Sequence, residues 1–110
     1  MVPLMLYERL RELARLRYTE IYSRLAPLAG IDARDPLFAV HVGEMLDEVD
    51  AIEHAPQRPL LSAVAIAELR NKPGPGSFTI ARHLGVHTEC DDDRFWINEL
   101  HRVYDYWSRP

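Results

Sequence analysis

His83, His87 and Cys90 stand four and three residues apart, intervals that zinc sites use, and Asp91, Asp92 and Asp93 follow directly. Closing such a site needs a fourth ligand, from His101 or one of those aspartates. Gly85 lies between the two histidines and reads as a helix end, which separates their faces. The pattern therefore favours exposed loop residues over a metal centre, and no cofactor is expected.

A second set lies in HVGEMLDEVDAIEH, residues 41–54. At helical spacing His41 shares a face with Glu44, and His54 shares one with Asp50 and Glu53. A carboxylate beside an imidazole can tune it for proton transfer. Arg58 and Ser62 follow closely, so Glu53, His54, Arg58 and Ser62 would line any small-ligand or enzymatic site here. A solvated acidic face with incidental histidines gives the same pattern.

The stretch LRNKPGPGSFTIARHLG, residues 69–85, raises the question of an anion site. Anion loops aim successive backbone N–H groups at one point, usually at a helix N-terminus. Pro73 and Pro75 have no N–H, and Lys72 precedes the glycines instead of following them, so a nucleotide P-loop is excluded. What survives is a smaller site: the amides of Gly76, Ser77 and Phe78, the Ser77 hydroxyl, and Lys72 or Arg82. The alternative is a rigid turn that caps a helix.

Glu68-Leu69-Arg70 distantly echoes the E-x-K of one nuclease class, but with an arginine that cannot lose its proton. GxSxG, CxxC, HExxH and dinucleotide fingerprints are missing from the sequence. Arg70, Lys72 and Arg82 are the nucleic-acid candidates, with Arg70, Asn71 and Lys72 at a wing tip if the element order is that of a winged helix. The helix in the recognition position is acidic, which opposes phosphate binding.

Positioning falls to amphipathic helices. Leu6, Leu10, Leu13, Ala14, Tyr18, Ile21, Leu25 and Leu28 make a helical stripe from Pro3 to about Ala26, with a break possible near Arg17–Thr19 and Thr19 as a cap. Asp35-Pro36 starts the next helix, with Phe38, Val42, Met45, Val49 and Ile52 inward and Glu44, Asp47, Glu48, Asp50 and Glu53 outward. Residues 60–69 read as a short buried strand or half a hairpin, although their alanines also suit a helix. Ser77 should cap a short helix that Gly85 closes. Asp91–Asp93 should start a last one, with Trp96, Leu100, Val103 and Trp107 inward.

Composition sets the frame. The 110 residues make one domain, 1–110, able to bury roughly two-thirds of its unfolded surface. A single cysteine rules out an internal disulfide and fits a reducing compartment. No leader and no apolar run of the ~20 residues that span a membrane is visible, so a cytoplasmic protein without membrane contact is expected. The net charge of −4 divides unevenly: +2 over 1–30, −6 over 31–56, +3 over 57–87 and −3 beyond.

RPLLSAVAI, PGPGSF and FWINELHRVYDYW together resemble small bacterial proteins of unassigned role, over roughly the C-terminal half. That resemblance implies no activity, cofactor or site residue. The fold expected is an α-rich α+β domain, three or four helices around a short strand or hairpin, winged-helix-like in order. The function expected is a non-catalytic binding or regulatory module. It acts on a protein partner or on itself, with Trp96, Tyr104, Tyr106 and Trp107 as interface candidates. DNA binding through Arg70 and Lys72, and an enzymatic site at 53–62, are the rivals.

Overall fold

A computed structural model describes residues 3–108, and its helices begin where apolar periodicity and local capping agree. Helix α1, Leu4–Leu16, buries Leu6, Leu10, Leu13 and Ala14 on one stripe. It stops at Arg17, whose φ of 61° is left-handed, with Tyr18 N–H returning to the Leu13 carbonyl at 3.0 Å. The expected helix to Ala26 is thus divided. After the break come strand β1, Glu20–Ile21, the short helix α2, Tyr22–Leu25, and a 3₁₀ turn over Ala26–Ala29. Thr19 caps nothing, because Ile21 precedes α2 and no side chain caps it. Tyr18 is left exposed.

Asp35 does accept the Leu37 N–H, at 2.9 Å, but Pro36 sits in a turn and helix α3 runs from Phe38 to His54. Its inward face is rotated from the expected one. Val42, Leu46, Val49, Asp50 and Glu53 are buried, whereas Ile52 is exposed. The two acids expected on the outside are inside because they find partners there.

The ambiguous segment 60–69 is neither one strand nor one helix. Leu61–Val64 form a 3₁₀ turn, Ala65–Ile66 form strand β2, and an Ala67–Lys72 bridge closes the turn that follows. That antiparallel bridge is the hairpin element. The β1–β2 pair is parallel, Glu20 opposite Ala65 and Ile21 opposite Ile66, and α3 lies in the crossover that parallel strands require. Helix α4, Pro75–His83, has Gly74 at its N-cap and Pro75 at its first position, so Ser77 is its third residue and not its cap. Gly85 closes it at φ 77°. Asp91 caps helix α5, Asp92–Trp107, by accepting the Arg94 N–H at 3.1 Å.

The result is an α-rich α+β fold with the Leu61–Val64 turn at its hub, packed by α1, α3 and α5. Trp96 anchors α5 there by donating its indole N–H to the Ala63 carbonyl at 2.8 Å. Among the described residues no helix is long and apolar enough to cross a membrane. Leu61 is fully buried and Leu69 fully exposed. Leu61→Ala should therefore cost about 2–5 kcal/mol in denaturant unfolding, and Leu69→Ala less than about 0.5. Equal effects would remove the hub from the account.

Candidate functional site

Two polar clusters flank the 3₁₀ turn, and both draw on α3. In the first, Asp50 is fully buried and accepts two hydrogen bonds from Ser62, from its N–H at 3.1 Å and its hydroxyl at 2.6 Å. The Ser62 and Ser77 hydroxyls lie 3.2 Å apart. Burial pushes the Asp50 carboxyl up to about 7; the Ser62 bonds pull against that rise, and Asp47 and Glu99 add to it. In the second, buried Glu53 accepts from the Arg58 guanidinium at 2.6 and 3.3 Å. That bond holds Arg58 still more firmly protonated. Glu99 of α5 completes the arrangement, accepting the Leu60 N–H at 2.9 Å and an Arg102 N–H at 2.6 Å.

Ser62 is thus joined to the PGPG turn through Ser77, while Glu53 and Arg58 form a separate closed pair. His54 is half-buried and no bond ties it to either cluster. The sequence placed Asp50 on the outside and did not single out Glu99. A carboxylate one helical step from buried valine, with Ser62 twelve residues on, is the only hint the chain offers for Asp50.

Between α3 and the PGPG turn lies a groove of about 400 Å³. Ala39, Val40, Gly43, Glu44 and Asp47 form one wall, and Ala67, Arg70 and the residues from Gly74 to Ser77 the other. Tyr22 ties them together, its hydroxyl oxygen accepting the Gly74 N–H at 2.9 Å, and burial raises its pKa. Partial burial, then the neighbouring Glu44, raise the Asp47 pKa. Among the described residues no cation pairs with Glu44 or Asp47. A Cβ built on Gly43 or Gly76 meets nothing within 4 Å. The groove is chiefly apolar, open to solvent, and rimmed by acid on the α3 side.

The remaining candidates do not gather. Lys72 is taken by Asp93 at 2.7 Å and Arg82 by Asp92, so of the three basic nucleic-acid candidates only Arg70 lacks an ion pair among the described residues. Glu68 bonds Ser23, and Leu69 and Arg70 lie in the exposed turn instead of on a strand. His87 is buried, stacked 4.2 Å from Phe95 with Nε2 at 2.8 Å from Asp92, whereas His83 and Cys90 are exposed. Among the described residues no three His, Cys, Asp or Glu side chains are placed to hold a metal ion. Trp96, Tyr104 and Trp107 pack on the core, leaving Tyr106 as the exposed member of the four interface candidates.

Compared with family models, curated proteins and solved structures, the chain matches none.

The Asp50 carboxyl gives a pH test. Its folded value near 7 exceeds the ordinary 3.8, so between those values the folded chain holds a proton that the unfolded chain releases. The stability this contributes is complete below the lower value and lost as pH rises through the upper one. Asp50→Asn cannot ionise, and its amide oxygen can still accept the Ser62 N–H. Its amide N–H can donate to the Ser62 hydroxyl oxygen in place of the bond the carboxylate accepted. Melting temperatures of the natural chain should fall relative to Asp50→Asn from pH 4 to 8, and parallel curves would refute the shift.

Proposed function

We propose that the chain is a non-catalytic binding module that works through protein contact, including contact between its own copies, and that the α3–PGPG groove is the surface it uses. The observation that carries this reading is Gly43. It sits in the interior of α3, where glycine costs roughly 0.5–1 kcal/mol relative to alanine, yet a Cβ there would meet nothing. Neither a turn nor close packing within the fold requires it. Its effect is to leave space in the groove wall, where an incoming backbone or side chain can approach closely.

Val40 in the groove wall and Leu37 at the N-cap of α3, three residues before it, are both 56% exposed apolar side chains. Apolar surface of this kind, rimmed by charge, suits a protein partner. The pairing of Lys72 with Asp93 and of Arg82 with Asp92 favours protein over nucleic acid, since it leaves little free positive charge for phosphates. The separation of the Glu53–Arg58 pair from Ser62 likewise favours binding over catalysis.

Gly43→Ala should raise folding stability by about 0.5–1 kcal/mol. Gly43→Leu should fill the groove without loss of stability. Sedimentation velocity should show the natural chain growing beyond its 12.7 kDa monomer with concentration, and Gly43→Leu remaining monomeric. A natural chain that stays monomeric throughout, or a Gly43→Leu chain that associates equally well, overturns the reading.

A further inference from the structure

We infer that the occupant of the groove is the outer face of α5 from a second copy of this chain. The inference rests on the groove being a protein-contact surface, and it names the partner. Four requirements follow from the groove itself: an apolar group for its lining, positive charge on the α3 side, little bulk, and a regular element able to follow a helix. Helix-in-groove recognition supplies these through residues three and four apart on one helix face.

The outer face of α5 has that composition. Arg94, Ile97, Asn98 and His101 fall at helical spacing on one side of the 16-residue helix, and Asp105, which continues that face toward the C-terminus, is already paired with Arg17 at 3.1 Å. Ile97 is 49% exposed, an aliphatic side chain that the fold leaves uncovered. Among the described residues, neither the Arg94 guanidinium nor the His101 ring has an ion-pair partner. On the groove wall, Glu44 and Asp47 have no cation of their own among the described residues and stand close enough for Glu44 to raise the Asp47 pKa. The unpaired Arg94 cation on one surface and the unpaired carboxylates on the other are complementary, with the aliphatic Ile97 one turn on to enter the apolar lining.

Gly43 and Gly76 allow the approach. With no side chain on either wall at those points, a helix can lie closer to the groove than ordinary residues permit. Arg70 on the opposite wall fixes the orientation, because the docking helix must turn Arg94 away from it and toward α3. The contact uses two different surfaces. A two-fold dimer makes it twice, and a head-to-tail ring makes it once per junction.

The test is complementation in trans. Ile97→Asp removes the aliphatic anchor from an exposed position and Gly43→Leu closes the groove; each chain alone should sediment as a monomer with its circular dichroism unchanged. Mixed, the open groove of the Ile97→Asp copy should accept the intact α5 of the Gly43→Leu copy, restoring a species of twice the monomer mass. A mixture that stays monomeric overturns the α5 assignment.

Charge reversal gives a second arm. Arg94→Glu places an acid in the first turn of α5, where the helix dipole favours it, so loss of association there is not loss of fold. It should weaken association at least tenfold, and pairing it with a Glu44→Lys, Asp47→Lys chain should restore much of that loss. If Gly43→Leu blocks association but Ile97→Asp and Arg94→Glu do not, the groove reading stands and the α5 occupant is wrong. If the natural chain never associates, both fall.

Discussion

A carboxylate held away from water in the second half of α3 sets the positions of most other parts. Left uncompensated, a buried charge costs several kcal/mol, so the chain must bring donors to Asp50 or leave it protonated. Ser62 supplies two donors from one residue, backbone and side chain, and this fixes the register of the 3₁₀ turn against α3. Three residues later that register decides which residue meets Glu20, and therefore how β1 and β2 pair. Glu53 and Glu99 act on the same segment, one holding Arg58 and the other the Leu60 N–H. Three buried acids from two helices thus clamp residues 58–62.

The clamp matters because the clamped segment is the hub of the apolar core. Leu61 and Val64 are fully buried, and the Ala63 carbonyl is the acceptor that seats Trp96. An irregular segment at the centre of a small core carries backbone groups that no helix or sheet ladder satisfies. The acids and the indole satisfy some of them. Polar burial here answers the needs of a short turn used as a packing core, and it gives α1, α3 and α5 one common surface.

Sequence reading reached the parts of this fold that are written locally. The α1 stripe, the Asp91 cap, the Gly85 stop and the inward Trp96 all rest on residues within a turn or two of one another. The face of α3 is not legible locally, because Asp50 and Glu53 look like solvent-facing charges until their partners are known. Glu53 meets Arg58 five residues on and Asp50 meets Ser62 twelve on, beyond helical periodicity. The break near Arg17 is legible as a possibility, but its left-handed residue is not, since an arginine carries no mark as glycine would. Ser62 and Ser77, both site candidates from the sequence, do meet, but as part of the Asp50 cluster. The groove had one legible sign, a glycine in the middle of a periodic helix.

The PGPG turn then has a role that neither a phosphate loop nor a plain connector describes. Its prolines remove backbone donors and fix φ at Pro73 and Pro75, while the one N–H between them, at Gly74, is spent on the Tyr22 hydroxyl. A Cβ at Gly74 would come within 3.4 Å of that oxygen, so the residue is fitted closely to the ring. The turn is strapped to the core from below, and α4 starts from it with its third residue touching Ser62. One groove wall is therefore held by the same cluster that holds the other, because Asp50 belongs to α3. A groove whose walls are already fixed pays little ordering entropy when something docks, and preorganisation of that kind lets a modest apolar contact bind usefully. Rigidity, not donor chemistry, is what the alternating prolines contribute.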